Sequence, residues 1–379
     1  MHPENTALPY DHALFAELRR ALVAGELSRE RARLATPPSP LAFDDPRLVR
    51  VTAGTQGERR AAGEASLRAG EVATLILNGG LATRFGGLVK GVVPVLGEDP
   101  KRSFLALKLG AVRATAERLG QAIPAVVMCS FATRSASDEH LAMIEWAGVP
   151  VADRLTFDQS VLPRIDPDGG LLRDRPGAET MPQSALYAAP GHGDTLEQAL
   201  RSGLVDRLRA RGIRHVLVSN VDNLGATIDP HVLGQHLAAV DRGAAASVEV
   251  VRRRPGDVGG CIAEVGGRPV IVEGFRLPTS TDPERYAHFN TNTLWLTLDA
   301  LGSMPPLTYF PVARKLRWSD GADVDLIQFE RLIGQITEHL PAAYVEVDRD
   351  ERFVPIKTRD DLAAARPWIE AHLSEFGAP

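Results

Sequence analysis

A six-residue apolar run, Val72–Leu77, leads directly into a loop with four glycines, Gly79, Gly80, Gly86 and Gly87. A run that short and that continuously apolar predicts a buried strand. The glycines free backbone N–H groups to turn toward an anion with no side chain in the way. Thr83, Arg84 and Lys90 add a hydroxyl donor and two cations. Together these residues suit a triphosphate, although a plain turn after a core strand carries the same glycines. The spacing matches neither G-x-x-x-x-G-K-[ST] nor G-x-G-x-x-G, so the loop is neither a P-loop nor a dinucleotide fingerprint.

From about residue 71 onward, apolar runs alternate with helical stretches. The spacing predicts a helix over about 103–119, a strand over Ala125–Cys129 and a helix over 137–147. A single helix over 196–211 leads to a strand over 215–218. Further strands are expected over 247–251, 270–273 and 293–298. Such alternation argues an α/β fold, a doubly wound sheet that is mixed and mostly parallel, flanked by helices. Ligands of such sheets lie beyond the carboxyl ends of the strands, where both the 78–87 loop and the segment 220–225 fall. Earlier in the chain, Phe15, Leu18, Leu22 and Val23 recur at helical spacing until Pro37, Pro38 and Pro40 break the pattern. Residues 1–70 therefore read as an N-terminal helical extension and linker packed on the core, without chemistry. Residues 71–379 read as one catalytic domain with a short C-terminal segment.

The 379 residues are 44% hydrophobic and 24% charged, with a net charge of −5. These are globular values. The negative balance gives no electrostatic support to nucleic-acid binding, while a local cation cluster can still hold a small anion. No run approaches the ~20 apolar residues of a membrane span. Met1-His-Pro-Glu-Asn shows no basic n-region and no apolar h-region follows, so a secretory signal is not expected. Cys129 and Cys261 fit neither a disulfide framework nor a zinc site. The expected setting is the cytoplasm, with no membrane or nucleic-acid partner.

Four further segments carry chemistry. Asp222, at the end of the apolar run 216–218, is placed to hold Mg²⁺ against phosphates, or to serve an Asx-turn. His192 stands between Gly191 and Gly193, ahead of a helix that Asp194 or Thr195 could cap. Asn290 and Asn292 pair amide donors and acceptors at a strand start, which suits hydroxyl-rich ligands. Lys357 follows Pro355 near the C-terminus, where a surface lysine is the ordinary reading.

Taken in order, these segments resemble the UTP-dependent sugar-1-phosphate uridylyltransferases of the UDP-glucose and UDP-N-acetylhexosamine pyrophosphorylase type. The resemblance rests on Leu77-Asn-Gly-Gly-Leu-Ala-Thr-Arg-Phe-Gly86 with Lys90, and on Thr156-Phe-Asp-Gln159-Ser with Pro163-Arg164. It also rests on Pro190-Gly-His-Gly-Asp194, Asn220-Val-Asp-Asn-Leu-Gly-Ala226, Val272-Glu273, Phe289-Asn-Thr-Asn-Thr-Leu-Trp295 and Phe353-Val-Pro-Ile-Lys-Thr358.

The resemblance implies a Rossmann-like nucleotidyltransferase core and transfer of UMP from UTP to a sugar 1-phosphate, glucose 1-phosphate first, with Mg²⁺. Asn78, Gly79, Gly80 and Thr83 inherit nucleotide binding, Gln159 the uracil edge, and Gly191 and Gly193 the lining of the base. His192, Asn220, Glu273, Asn290 and Asn292 inherit the sugar phosphate. Arg84, Lys90, Lys357 and Asp222 inherit the catalytic roles, Asp222 as metal ligand. The sequence departs from the pattern at Val89, where many relatives have proline, and at Asp158 and Thr293, where asparagine is common. Val161-Leu162 replaces a more polar pair. These departures bear on the identity of the sugar, with N-acetylglucosamine 1-phosphate or a modified sugar or cyclitol phosphate as alternatives. Many relatives carry a further C-terminal β-helix used in assembly. The chain stops about 20 residues after Lys357, so a monomer or a small homo-oligomer is expected. Two other classes compete: a glycosyltransferase using the D-x-D spelling of Asp323-Val-Asp325, expected at a helix start, and a non-catalytic nucleotide-sugar binder.

Overall fold

The structure, a computed structural model, describes residues 7–42, 45–50, 56–82, 85, 87–300 and 305–377. Its main strands are β1 (Leu48–Arg50), β2 (Val72–Leu77), β3 (Ala125–Cys129), β4 (Arg154–Asp158), β5 (His215–Asn220), β6 (Ala246–Arg252), β7 (Cys261–Val265), β8 (Arg268–Val272), β9 (His288–Thr297), β10 (Phe310–Arg317), β11 (Asp323–Glu330) and β12 (Ala342–Glu346). Its longer helices are α1 (His12–Val23), α2 (Gln56–Arg68), α3 (Phe104–Leu119), α4 (Arg134–Met143), α5 (Thr195–Arg201), α6 (Leu204–Ala210), α7 (Pro230–Val240) and α8 (Arg359–Ala371).

The central sheet runs β1-β12-β6-β9-β5-β2-β3-β4. Strand β9 is antiparallel to both of its neighbours, and every other pairing along this path is parallel. The mixed, mostly parallel α/β sheet expected from the sequence is therefore present. All six residues of β2 are buried, as a central parallel strand covered on both faces requires. Apolar clusters lie on both faces, one around Phe104, Leu105 and Trp295, the other around Val126, Val248 and Tyr344.

Helix α3 starts at Ser103, whose side chain accepts from Ala106 N, and ends at Gly120 in the left-handed region, φ 67°. The segment ahead of residue 71 is more than helical. Strand β1 joins the sheet beside β12, and α2 lies against α7 with almost no separation. A Cβ on Gly63 would fall 1.9 Å from Pro230 O, and one on Gly234 would fall 1.8 Å from Arg59 O. Two glycines thus permit backbone-to-backbone contact that any larger residue would block.

Several expected boundaries shift. The helix expected over 196–211 is two helices, α5 and α6, because Gly203 takes φ 70° between them. The helix expected over 137–147 is α4, ending at Met143, after which Glu145, Trp146 and Ala147 turn to positive φ. The segment Asp323-Val-Asp325 is not a helix start. It opens β11, which pairs with β10 in a hairpin, and Asp323 and Asp325 sit exposed beside Arg317 and Lys315. Asp-Val-Asp-Leu alternates with period two, the strand signature.

Buried histidines tie β5 to α7. His215 Nδ1 and His236 Nε2 are 3.1 Å apart, and His236 Nδ1 lies 2.9 Å from Ser247 Oγ. Burial pushes His215 down to about 4 and His236 down to about 3. The unfolded chain binds protons at these rings from about pH 6.5 downward, whereas the native protein does not until much lower pH. Stability should therefore fall as pH drops from 6.5 toward 4, by about 1.4 kcal/mol per pH unit for each imidazole once the unfolded ring is charged. Thermal unfolding at pH 7 and pH 5 checks this; equal midpoints would contradict it.

Candidate nucleotide and sugar-phosphate site

Strands β2 and β5 are parallel neighbours, with Asn220 opposite Leu77. Their carboxyl ends therefore deliver the glycine loop and Asp222 side by side. Asn78 is fully buried behind that junction. Its amide donates to Ser137 Oγ at 2.9 Å and accepts from Gly91 N at 3.1 Å. Rather than facing the junction, Asn78 pins the turn that carries Lys90. The Lys90 ammonium is paired with Asp222 Oδ2. Among the described residues, no group of three or more His, Cys, Asp or Glu converges as a metal cage. Thr83, Arg84 and Gly86 lie outside the described residues.

Next to this pair, Gln159 is 7% exposed and donates from Nε2 to Gly191 O at 2.7 Å. A Cβ on Gly79 would fall 1.9 Å from Gln159 Oε1, so a larger residue there would push the Gln159 amide aside. Behind both loops lies an ion network that the sequence did not reveal. Asp194 accepts from Ser160 N, at 2.6 Å, and from Ser160 Oγ, which fixes the residue after Gln159. Its other oxygen meets Arg331, which also reaches Glu197 at 2.5 Å. The Arg331 backbone accepts from Gly193 N and donates to Pro190 O. Asp194 stands at the N-cap of α5 without capping it by its side chain, because the carboxylate is committed to Ser160 and Arg331. The ring of His192 accepts from Ile333 N through Nδ1, at 3.0 Å, and burial lowers its pKa to about 4. It is therefore a neutral group at physiological pH.

On the β9 side, Asn292 has φ 60° where β9 shifts register against β6. Asparagine tolerates this conformation better than most residues. The irregularity aims its Nδ2 at Asn220 Oδ1, 3.2 Å away. Asn290 Oδ1 accepts from Asn292 N at 3.0 Å. Glu273 is half-buried, and burial pushes its carboxyl up to about 7 against the pull of Arg276. Thr293 is fully buried and faces Asn223.

Two adjoining cavities occupy the mouth of the sheet. One of about 330 Å³ is bounded by Gln159, Gly191, His192, Asn220 and Asp222. The other, of about 780 Å³, is bounded by Arg164, Arg314, Lys315, Glu330 and Lys357. They share Gly79, Gly80, Leu81, Lys90 and Ala189. Lys90 and Lys357, far apart in the chain, thus line one cavity. Arg164 brings a further cation whose Nε has no partner among the described residues, and burial lowers its pKa with help from Arg314. Its only signal in the sequence was its place in Pro163-Arg164; Arg331 gave none, since charged residues are rarely buried. Glu273, Asn290, Asn292 and Gly193 are not among the described residues lining these two cavities. The arrangement offers a slot of about 330 Å³ beside the Gln159 and Asn220 amides, a cluster of cations, and two carboxylates, Asp222 and Glu330.

A glycine loop and an acid at adjacent parallel strand ends place this site where α/β sheets take their ligands. The profile of the UTP--glucose-1-phosphate uridylyltransferase family matches residues 50–369, and the chain belongs to that family. The chain is 31% identical over 302 residues to a UTP--glucose-1-phosphate uridylyltransferase of Saccharomyces cerevisiae, a match covering 77% of this chain and 58% of the yeast protein. It therefore spans just under three fifths of that relative's length. A crystal structure of a UDP-glucose phosphorylase from Trypanosoma brucei superposes with a TM-score of 0.77 at 25% identity, over 93% of this chain and 74% of the other. The uridine diphosphate N-acetylglucosamine pyrophosphorylase of the same organism, in complex with an inhibitor, gives a TM-score of 0.71 at 20% identity over 94% and 78% of the two chains. At that identity the likeness is one of fold. No helix among the described residues is long and apolar enough to cross a membrane.

Proposed function

We propose that the protein transfers UMP from UTP to glucose 1-phosphate, giving UDP-glucose and pyrophosphate. The observation that carries this reading is the convergence of Gln159, Asp222, Lys90 and Lys357 on two adjoining cavities. In this reading Gln159 reads the uracil edge, with Gly191 and Gly193 closing on the base. The phosphates lie across Gly79 and Gly80, with Thr83 and Arg84 of the same loop, toward Lys90 and Lys357. Asn220, Asn290, Asn292, His192 and Glu273 meet the sugar phosphate. A Glu273 carboxyl poised near neutrality can accept from one hydroxyl and donate to another.

The chemistry asks little of a general base, because the sugar-phosphate oxygen is already anionic. That oxygen bonds to the α-phosphorus of UTP while the bond from that phosphorus to the pyrophosphate oxygen breaks in line. The protein's part is to align two polyanions and to balance their charge. Lys90 and Asp222 are paired with each other. Arriving phosphates compete for the Lys90 ammonium and free the carboxylate. A lone carboxylate suits Mg²⁺, which takes one or two protein oxygens and fills its shell with phosphate and water. Asp222 would hold that ion, and the ion would supply charge neutralisation on the phosphates. Two free buried thiols, Cys129 and Cys261, accord with a reducing compartment such as the cytoplasm.

Pyrophosphate release across a panel of nucleoside triphosphates and sugar 1-phosphates tests the reading. UTP with glucose 1-phosphate is expected to give the highest kcat/KM. Release with no pair would contradict the activity, and a preference for N-acetylglucosamine 1-phosphate would move the sugar. A buried polar group left unpaired costs about 1–3 kcal/mol. Gln159→Ala should accordingly raise KM for UTP by about tenfold or more and narrow its advantage over other triphosphates. An unchanged preference would remove Gln159 from the base site.

A further inference from the structure

We infer that Asn223 is a positioning residue that sets where Lys357 stands relative to Asp222, an inference that rests on the reading just proposed. Asn223 follows Asp222 in the chain and is 1% exposed. Its Oδ1 accepts from Val354 N at 2.9 Å, and its Nδ2 donates to Arg352 O at 3.3 Å. The side-chain amide thus pairs with the 352–354 backbone through one donor and one acceptor, as a neighbouring strand would. The main chain extends the contact. Asn223 and Pro355 form an antiparallel bridge, and Ile356 N donates to Asp222 O at 3.0 Å.

Lys357 is the next residue. Its N–H donates to Asp361 Oδ2 at 2.8 Å, in the first turn of α8. Its backbone is therefore tied on one side to the Asp222 loop and on the other to a helix N-terminus, and the residue borders the larger cavity. The underside of the clasp is fixed as well. The Lys108 ammonium donates to Ser219 Oγ at 2.8 Å, to Asn223 O at 3.2 Å and to Ala226 O. Arg352 is bound to Glu249 and to Thr227 O.

A lysine reaches a phosphate through a flexible stem, so the placement of its backbone decides whether the ammonium arrives. Asn223 is not among the described residues that line either cavity. Any effect it has on turnover must therefore pass through what it holds. Misplacement by about 1 Å can cost up to about 10²-fold in rate.

The test is a double-mutant cycle with Lys357→Ala, read as kcat and KM separately. Asn223→Ala is expected to lower kcat by about tenfold or more while KM for UTP moves by less than about threefold. In the Lys357→Ala background the same substitution should cost less than about twofold, because the residue it positions is already gone. Losses that multiply across the two sites would overturn the inference and leave Asn223 a structural residue. If Asn223→Ala does not fold, Asn223→Ser, which is too short for both contacts, is put through the same cycle with the same outcomes. Wild-type protein that releases no pyrophosphate would overturn the functional reading, and this role for Asn223 with it. An active wild type with multiplying losses would overturn the clasp alone.

Discussion

Asp222→Asn is expected to lower kcat by about 10³-fold or more while the protein stays folded. Asp222 closes the parallel strand β5 next to the glycine loop, and its carboxylate is the counter-charge of Lys90. Among the described residues no group of three or more His, Cys, Asp or Glu forms around it as a ready-made metal cage. Amide replacement keeps the shape and removes the charge, so a cation that balances phosphate charge loses its protein ligand. It also leaves the Lys90 ammonium without its partner when no substrate is bound. The check is single-turnover kinetics together with circular dichroism and thermal unfolding. Chelation with EDTA should reproduce the loss in the wild type. Full activity in the variant, or full activity after chelation, would remove Asp222 from its role.

The second large effect is expected at the two lysines. Lys90→Ala and Lys357→Ala should each lower kcat by about 10²–10³, with smaller changes in KM. Charge builds on the departing pyrophosphate as the bond breaks, and donors aimed at it stabilise the transition state more than the ground state. Lys90 borders both cavities, whereas Lys357 borders the larger one and its residue is exposed. Closure around substrate can bring the two ammonium groups together. Equal losses in kcat/KM carried wholly by KM would assign these lysines to ground-state binding instead.

Much of this site could be read from the chain, for identifiable reasons. The strand Val72–Leu77 was legible because a buried parallel strand is apolar without interruption. The loop at 191–193 was legible because close backbone approach forces glycine, a Cβ on Gly193 striking the backbone of Arg331 and Leu332, and the loop at 79–80 because its paired glycines follow directly on a buried strand. What stayed hidden is non-local or polar and buried. Nothing local announces that Arg331 sits at 3% side-chain exposure between Asp194 and Glu197, or that Lys108 is held inside by one hydroxyl and two carbonyls. Charged side chains are ordinarily at the surface, so a sequence offers no mark for the exceptions. The break at Gly203 was missed because one glycine costs an otherwise helical stretch only about 1 kcal/mol. Asp323-Val-Asp325 was misplaced because its spelling outweighed the two-residue alternation that follows it. The antiparallel entry of β9, which aims Asn292 at Asn220, depends on strand order that no local pattern encodes.

The central claim is transfer of the uridylyl group through the α-phosphorus, and isotope position tests it most directly. The protein is incubated with UTP labelled at the α-phosphorus, glucose 1-phosphate and Mg²⁺, and the products are separated. The account predicts that all transferred label appears in UDP-glucose and none in pyrophosphate, with pyrophosphate formed in equal amount. Label in pyrophosphate or orthophosphate, or a labelled product lacking the sugar, would contradict it.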